Sequence, residues 1–189
     1  MIYADKPKEQ SESPWSTLAA EVRYDNPWIQ VRHDDVLNPS GKPGIYGVVS
    51  FKNMAIGVVP VDTEGYTYLV GQYRYTLNAY SWEIPEGGGP MHEQPLDTAK
   101  RELLEETGLS AATWTSLGKI HTSNSVTDEF GFAYLAQDLT QGQAHPEETE
   151  DLKVWRLPLS EAVAMCLQSE ITDALSVVAL LKTARLLGL

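Results

Sequence analysis

Three glutamates, Glu102, Glu105 and Glu106, fall at the i, i+3 and i+4 positions of what reads as one helix. That spacing lays their carboxylates along a single flank, because residues three and four apart are neighbours on a helix surface. Like charges so placed repel one another, and packing gives no reason to gather them. A hard cation that prefers oxygen ligands, such as Mg²⁺, would relieve the repulsion. A solvated acidic helix face is the plainer alternative, and spacing alone does not choose between them. Just upstream stand Gly87, Gly88 and Gly89. Lacking side chains, they let a loop run close to a ligand. A strand, a glycine loop and an acidic helix could then present carbonyls and carboxylates to one ion.

The helix that must carry these groups is well marked. Pro95 suits a first helical position, Asp97 lies in the positive first turn, and Gly108 supplies a stop. Leu96, Ala99 and Leu103 form the apolar stripe that pins it to a core. Ahead of it, residues 54–62 (MAIGVVPVD) are a near-continuous apolar run, expected as a central strand covered on both faces. The chain turns at 62–65, and 66–73 is expected back as the hairpin partner. Arg74 follows. Its planar guanidinium can clamp a pair of diphosphate oxygens or form an ion pair with Glu83 or Glu86, and both can hold in turn.

Beyond the helix, residues 114–121 and 130–136 read as strands joined by a loop. His121 fits a structural or rim position better than a metal-ligating one. Residues 144–151 (AHPEETED) form an acidic loop, which composition alone would leave solvated, and a strand follows at 152–157. Two helices close the chain. Ser160 is expected to cap one that runs to Gln168, and Thr172 or Asp173 starts the other. Leu175, Val178, Ala179, Leu181 and Leu186 are the expected packing positions of that last helix.

At the other end, residues 1–16 read as a flexible arm. Residues 17–52 read as a small antiparallel β subdomain, with two short strands around the Asp25-Asn26-Pro27 turn and a third at 45–51. The remainder, 53–189, is expected to fold as one domain. A formal net charge of −12 argues against a general nucleic-acid binder and requires local cations for any phosphate ligand. Cys166, the single cysteine, excludes an intrachain disulfide and reads as a buried, inert thiol. The N-terminal residues do not resemble a signal sequence, and no stretch is long enough to span a membrane, so the default location is cytoplasmic. Internal repeats and low-complexity segments are absent.

Gly87, Glu93, Arg101, Glu102, Leu103, Glu105, Glu106, Gly108 and Leu109 fill every fixed position of the Nudix box, G-x5-E-x7-R-E-U-x-E-E-x-G-U with U aliphatic. The chain therefore resembles the Nudix hydrolase family. From about Trp28 to the C-terminal helix it is similar to the ADP-ribose and nucleoside diphosphate sugar pyrophosphatase branch. The resemblance implies an α/β fold: a Nudix α/β/α sandwich with a mixed sheet, the box helix on one face and the C-terminal helices on another. It implies Mg²⁺-dependent hydrolysis of the pyrophosphate bond in a nucleoside diphosphate sugar, such as ADP-ribose or GDP-mannose, with Mn²⁺ able to substitute.

Residue by residue, it places metal ligation at Glu86 (through its carbonyl), Glu102, Glu105 and Glu106. Catalysis falls to Glu148, with Glu150 in support and Glu105 as a further catalytic residue. Trp28, Arg74, Glu83 and Glu129 are the expected substrate contacts, Trp28 by stacking on a base. Arg101 is expected to orient the box glutamates by ion pairs. A homodimer through residues 17–52, which present Tyr24 and Trp28, is the expected assembly, with neither nucleic acid nor membrane as partner. Asn124 and Ser125 stand where many ADP-ribose hydrolases carry a Ser-Pro-Gly type sequence, which leaves the preferred sugar open. Coenzyme A, dinucleotides and dinucleoside polyphosphates compete as substrates. A nucleotide sensor without activity is the reading from another class, and the intact box argues against it.

Overall fold

In the computed structural model, residues 9–144 and 152–189 are described, and the fold is built on the strand β4 (Asn53–Pro60). Its side chains alternate between two cores. Met54, Ile56 and Val58 join one, and Val59, with Val61 just beyond the strand, joins the other. A strand buried on both faces needs apolar residues at nearly every position, which explains the run at 54–62.

The rest of this sheet comes from β7 (Glu86–Pro90), β8 (Leu109–His121) and β9 (Phe130–Gln141). The strand order is β7-β4-β9-β8, with β4 parallel to β9 and the other pairs antiparallel. Helix α1 (Pro95–Thr107) covers one face through Ala99 and Leu103. It ends as its sequence requires, with Gly108 left-handed at φ 73° and its N–H donating to the Leu104 carbonyl at 2.9 Å. Truncating Leu103, which is fully buried, would cost about 2–5 kcal/mol.

A second sheet has the order β10-β5-β6, from β5 (Tyr66–Arg74), β6 (Ala79–Glu83) and β10 (Lys153–Pro158). Helices α2 (Leu159–Leu167) and α3 (Ala174–Leu187) close the other core against β4 and β5. Asp173 caps α3, its carboxylate accepting the Ser176 N–H at 2.7 Å. Ser176 in turn accepts the Ile84 N–H at 3.0 Å, which ties α3 to the segment leading into β7.

The N-terminal strands β1 (Ser16–Asp25), β2 (Ile29–Leu37) and β3 (Pro43–Phe51) form a separate antiparallel sheet in that order. Every residue of β1 is exposed. The connection between β8 and β9 docks on β3: Val49 N–H donates to the Val126 carbonyl at 2.9 Å, and Asp128 N–H to the Val49 carbonyl at 3.2 Å. Tyr46 O–H donates to the Ser125 carbonyl at 2.7 Å, and Phe51 N–H to Asp128 Oδ1 at 2.9 Å.

Several local expectations are corrected. Strand β5 is not the hairpin partner of β4; only an isolated bridge, Val61 with Thr67, links them, and β5 pairs with β6 and β10 instead. The three glycines lie within a strand, β7, rather than a loop. Strands β8 and β9 run longer than expected because α1 leads directly into β8 at Leu109 and the antiparallel pair then extends to Gln141. Ser160 does not cap α2; the N-cap is Pro158, with no side-chain bond. In α3, Leu181 and Leu186 are exposed, and the buried stripe passes through Leu175, Ala179, Leu180 and Ala184. No helix among the described residues is long and apolar enough to cross a membrane.

Candidate active site

Strand β7 lies under the carboxylate flank of α1, and its glycines make the approach possible. A Cβ on Gly87 would run into the Glu102 carboxylate, and one on Gly89 would sit 2.7 Å from Thr98 Oγ1. The glycines therefore serve close contact, with no need of unusual backbone angles. The same contact overturns the picture of a solvated acidic flank. Glu106 is 3% and Glu102 8% exposed, while Glu105 is partly buried.

Each carboxylate is held. Glu106 Oε2 accepts the Glu86 N–H at 2.9 Å, fixing the start of β7 to the last turn of α1. Arg101 spans the flank: it lies 2.8 Å from Glu102 Oε1 and donates to Glu105 Oε2 at 2.7 Å and to the Gly88 carbonyl at 3.1 Å. Burial pulls its guanidinium pKa down, but Glu102 and Glu105 outweigh that and raise it. Glu93, the box residue preceding α1, accepts from Thr98 Oγ1 at 2.6 Å.

On the other side of β7, Arg74 donates to Glu83 at 3.0 Å and to Glu86 Oε1 at 3.0 Å. Both of its anticipated ion pairs form at once. Glu83 is 2% exposed, so it acts as the buried counter-ion that aims Arg74. Burial, then the charges of Asp173 and Glu83, push the Glu86 carboxyl well above the usual range, against the pull of Arg74. Glu86 Oε2 is buried and has no hydrogen-bond partner among the described residues. An all-oxygen, anionic donor set with an orphaned buried oxygen fits a hard divalent cation. Among the described residues, though, no three acidic or imidazole side chains converge as a ready-made cation site. Arg101 pairs with Glu102 and Glu105, and Arg74 with Glu83 and Glu86.

A groove joins these groups. Its first part, about 490 Å³, is lined by Trp28, Asn53, Gly87, Glu93, Arg101 and Glu102. Trp28, 67% exposed, also borders the adjoining cavity of about 390 Å³ with Arg74, Glu86 and Glu129. Arg74, Glu86 and Glu129 in turn border a third, of about 560 Å³, together with Glu83 and Asp173. Glu129 is held by the Thr122 hydroxyl. The described expected contacts thus line these adjoining cavities, except Glu106, which meets the Glu86 N–H behind them. Glu148 and Glu150 lie outside the described residues. Asn53 and Asp173 also line the groove; neither belongs to a sequence motif, and only the folding of β4 and α3 brings them there. His121 is absent from the groove lining and lies beside Phe130 in a tilted ring contact, at 6.4 Å between ring centres.

Comparison with known proteins places this geometry. Residues 52–176 match the NUDIX domain family, and residues 15–49 match the nucleoside diphosphate sugar hydrolase N-terminal domain. An ADP-ribose pyrophosphatase of Mycobacterium tuberculosis is 32% identical, over 90% of this chain and 84% of its own. One from Bacillus subtilis is also 32% identical, over 84% and 86%. A methanol dehydrogenase activator of Bacillus methanolicus is 30% identical, over 86% and 89%. A crystal structure of an ADP compounds hydrolase shares the fold, with a TM-score of 0.84 at 23% identity, over 95% of this chain and 97% of that one. Because one family model spans most of the chain and these relatives align along nearly all of it, the chain belongs to the Nudix hydrolase family.

Proposed function

We propose that this Nudix pyrophosphohydrolase cleaves the pyrophosphate bridge of a nucleoside diphosphate sugar of the ADP-ribose type, releasing a nucleoside monophosphate and a sugar phosphate. The observation that carries the reading is the joined groove. It puts an exposed indole near the box carboxylates and a buried-anchored arginine beyond them, in reach of a base and a diphosphate in turn. The names of the relatives and of the N-terminal domain favour the same substrate class.

In this reading Glu102, Glu105 and Glu106, with the Glu86 carbonyl, would hold a divalent cation, Mg²⁺ or Mn²⁺, which when bound would supply charge neutralisation for the bridging phosphates. Trp28 stacks on the base, a contact worth about 1–3 kcal/mol. Arg74 exchanges its bond to Glu86 for a phosphate oxygen while Glu83 keeps it aimed. Glu129 lines the same stretch of groove. Arg101 keeps Glu102 and Glu105 oriented. Glu148 accepts the proton of the attacking water, and Glu150 supports its loop.

The test is a substrate panel of ADP-ribose, GDP-mannose, coenzyme A and a dinucleotide, with and without Mg²⁺, followed by product identification. Fastest turnover of a nucleotide sugar to a monophosphate is the expected result. Faster cleavage of coenzyme A or the dinucleotide, or metal-independent turnover, would overturn the reading. On the best substrate, Glu148→Gln should lower kcat with little change in KM, and more than Glu150→Gln does. Equal, small losses in both would move the base to Glu129 or into the box.

The assembly proposed is a homodimer through residues 17–52, acting in the cytoplasm on small molecules without nucleic-acid or membrane partners. Exposure of all of β1, with Leu18, Val22 and Tyr24 facing outward, supports a covered sheet. Equilibrium sedimentation should give twice the chain mass at micromolar concentration; a single species at the monomer mass would end that proposal.

A further inference from the structure

The two walls of the groove come from different sheets. Trp28 stands at the head of β2, whereas Arg74, Glu86 and Glu129 belong to the rest of the chain. Within its own sheet the Trp28 backbone is well held. Asn26 Oδ1 accepts the N–H groups of Trp28 and Ile29 at 2.8 and 2.7 Å, and the Trp28 carbonyl accepts the Lys52 N–H at 2.9 Å.

The angle of that sheet to the body is a different matter. Strand β1 is exposed throughout, and β2 and β3 bury only Asp34 and Val36, so little apolar packing sets the angle. Strand β3 runs into β4 through Lys52 alone, a joint of one residue. The other restraint is the β8–β9 connection. Its bonds to β3 include one from an acidic side chain, Phe51 N–H to Asp128 Oδ1 at 2.9 Å. Asp128 therefore grips the chain one residue before the joint and stands one residue before Glu129.

The geometry points to Asp128 as a positioning residue. Its carboxylate pins β3 to the loop that carries Glu129 and so sets the separation between Trp28 and the phosphate-binding wall. It touches no substrate and takes no part in the chemistry. The inference rests on the stacking role proposed above for Trp28.

Steady-state kinetics with ADP-ribose, or the panel member cleaved fastest, test it. The variants are Asp128→Ala, Asp128→Asn, Trp28→Ala and the Trp28→Ala/Asp128→Ala double. Asp128→Ala should raise KM about fivefold and leave kcat within about twofold, the scale of one ordinary net hydrogen bond. Asp128→Asn should stay near wild type, because its amide oxygen still accepts the Phe51 N–H. In the Trp28→Ala background, Asp128→Ala should add nothing further, since the two residues then act through one contact. An unchanged KM in Asp128→Ala, no rescue by Asp128→Asn, or the same rise persisting without Trp28 would each overturn the inference. A raised KM in Trp28→Ala beside an unaffected Asp128→Ala removes the tether alone. A wild-type KM in Trp28→Ala brings down the stacking role and the tether with it.

Discussion

Glu106→Gln is expected to lower kcat/KM by at least about a hundredfold, the scale on which a single placed electrostatic group acts. The substitution is nearly isosteric, and the amide oxygen can still accept the Glu86 N–H that Glu106 Oε2 accepts at 2.9 Å. The junction of β7 with α1 should therefore survive, and what is lost is one negative charge at the proposed cation site. Stability should move the other way or not at all. Asp173, Glu83 and Glu106 all act on Glu86 by charge, and Glu106 is among those that push the Glu86 carboxyl up. Removing one charge from that group without metal present should leave the melting temperature unchanged or slightly higher. Activity measured across a Mg²⁺ series, beside thermal melts, checks both halves. Near-normal turnover at saturating Mg²⁺ would remove Glu106 from the site.

Gly87→Ala should be almost as damaging, by a different route. Gly87 is paired with Ile56 in the sheet, so its backbone cannot retreat. The new methyl would meet the Glu102 carboxylate, the movable end of a side chain, and that end would be displaced. The fold should lose little, with melting within a few degrees of wild type, while kcat/KM falls by about a hundredfold as a site carboxylate is misplaced. Gly88→Ala is the control: its nearest neighbour is Asn53 Nδ2 at 3.4 Å, an ordinary contact, and it should be close to wild type. Equal losses in the two variants would mean that β7 was simply disrupted. Normal activity in both would mean that the position of Glu102 is unimportant.

Helix α1 was legible because its signals are local. Pro95 begins it, Gly108 ends it, and the Ala99–Leu103 stripe is the face it buries. The central strand was legible for a related reason, since only a strand covered on both sides needs so unbroken an apolar run. Partner choice was not local. β5 follows β4 after a short turn, which favours a hairpin, yet packing against α2 and α3 draws β5 to β10 and gives β4 the distant β9. Read alone, the glycine run favours a loop, because glycine is a poor strand former. Its reason for being in a strand is Glu102 and Thr98 overhead, which no reading of residues 86–90 alone could supply. The burial of Glu102 and Glu106 has the same origin. The helical pattern puts them at the border of the apolar stripe, and β7 closes over that border. Asn53, Asp128 and Asp173 carried no motif; their places depend on how separate elements meet.

The parallel pairing of β4 with β9 also bears on how the chain reaches its native state. Ala55 and Gly131 are partners across that pair, about 75 residues apart in sequence, whereas β5 and β6 are joined by a short turn. Hairpins of that kind close within microseconds, while contacts between distant segments wait on the collapse of everything between them. Among the described strands β7 pairs with β4 alone, and β9 must arrive on β4's other side before that sheet has a middle. A chain diluted from denaturant should therefore regain most of its secondary structure first and its capacity for turnover last, because the floor of the groove belongs to the slowest-closing part of the topology.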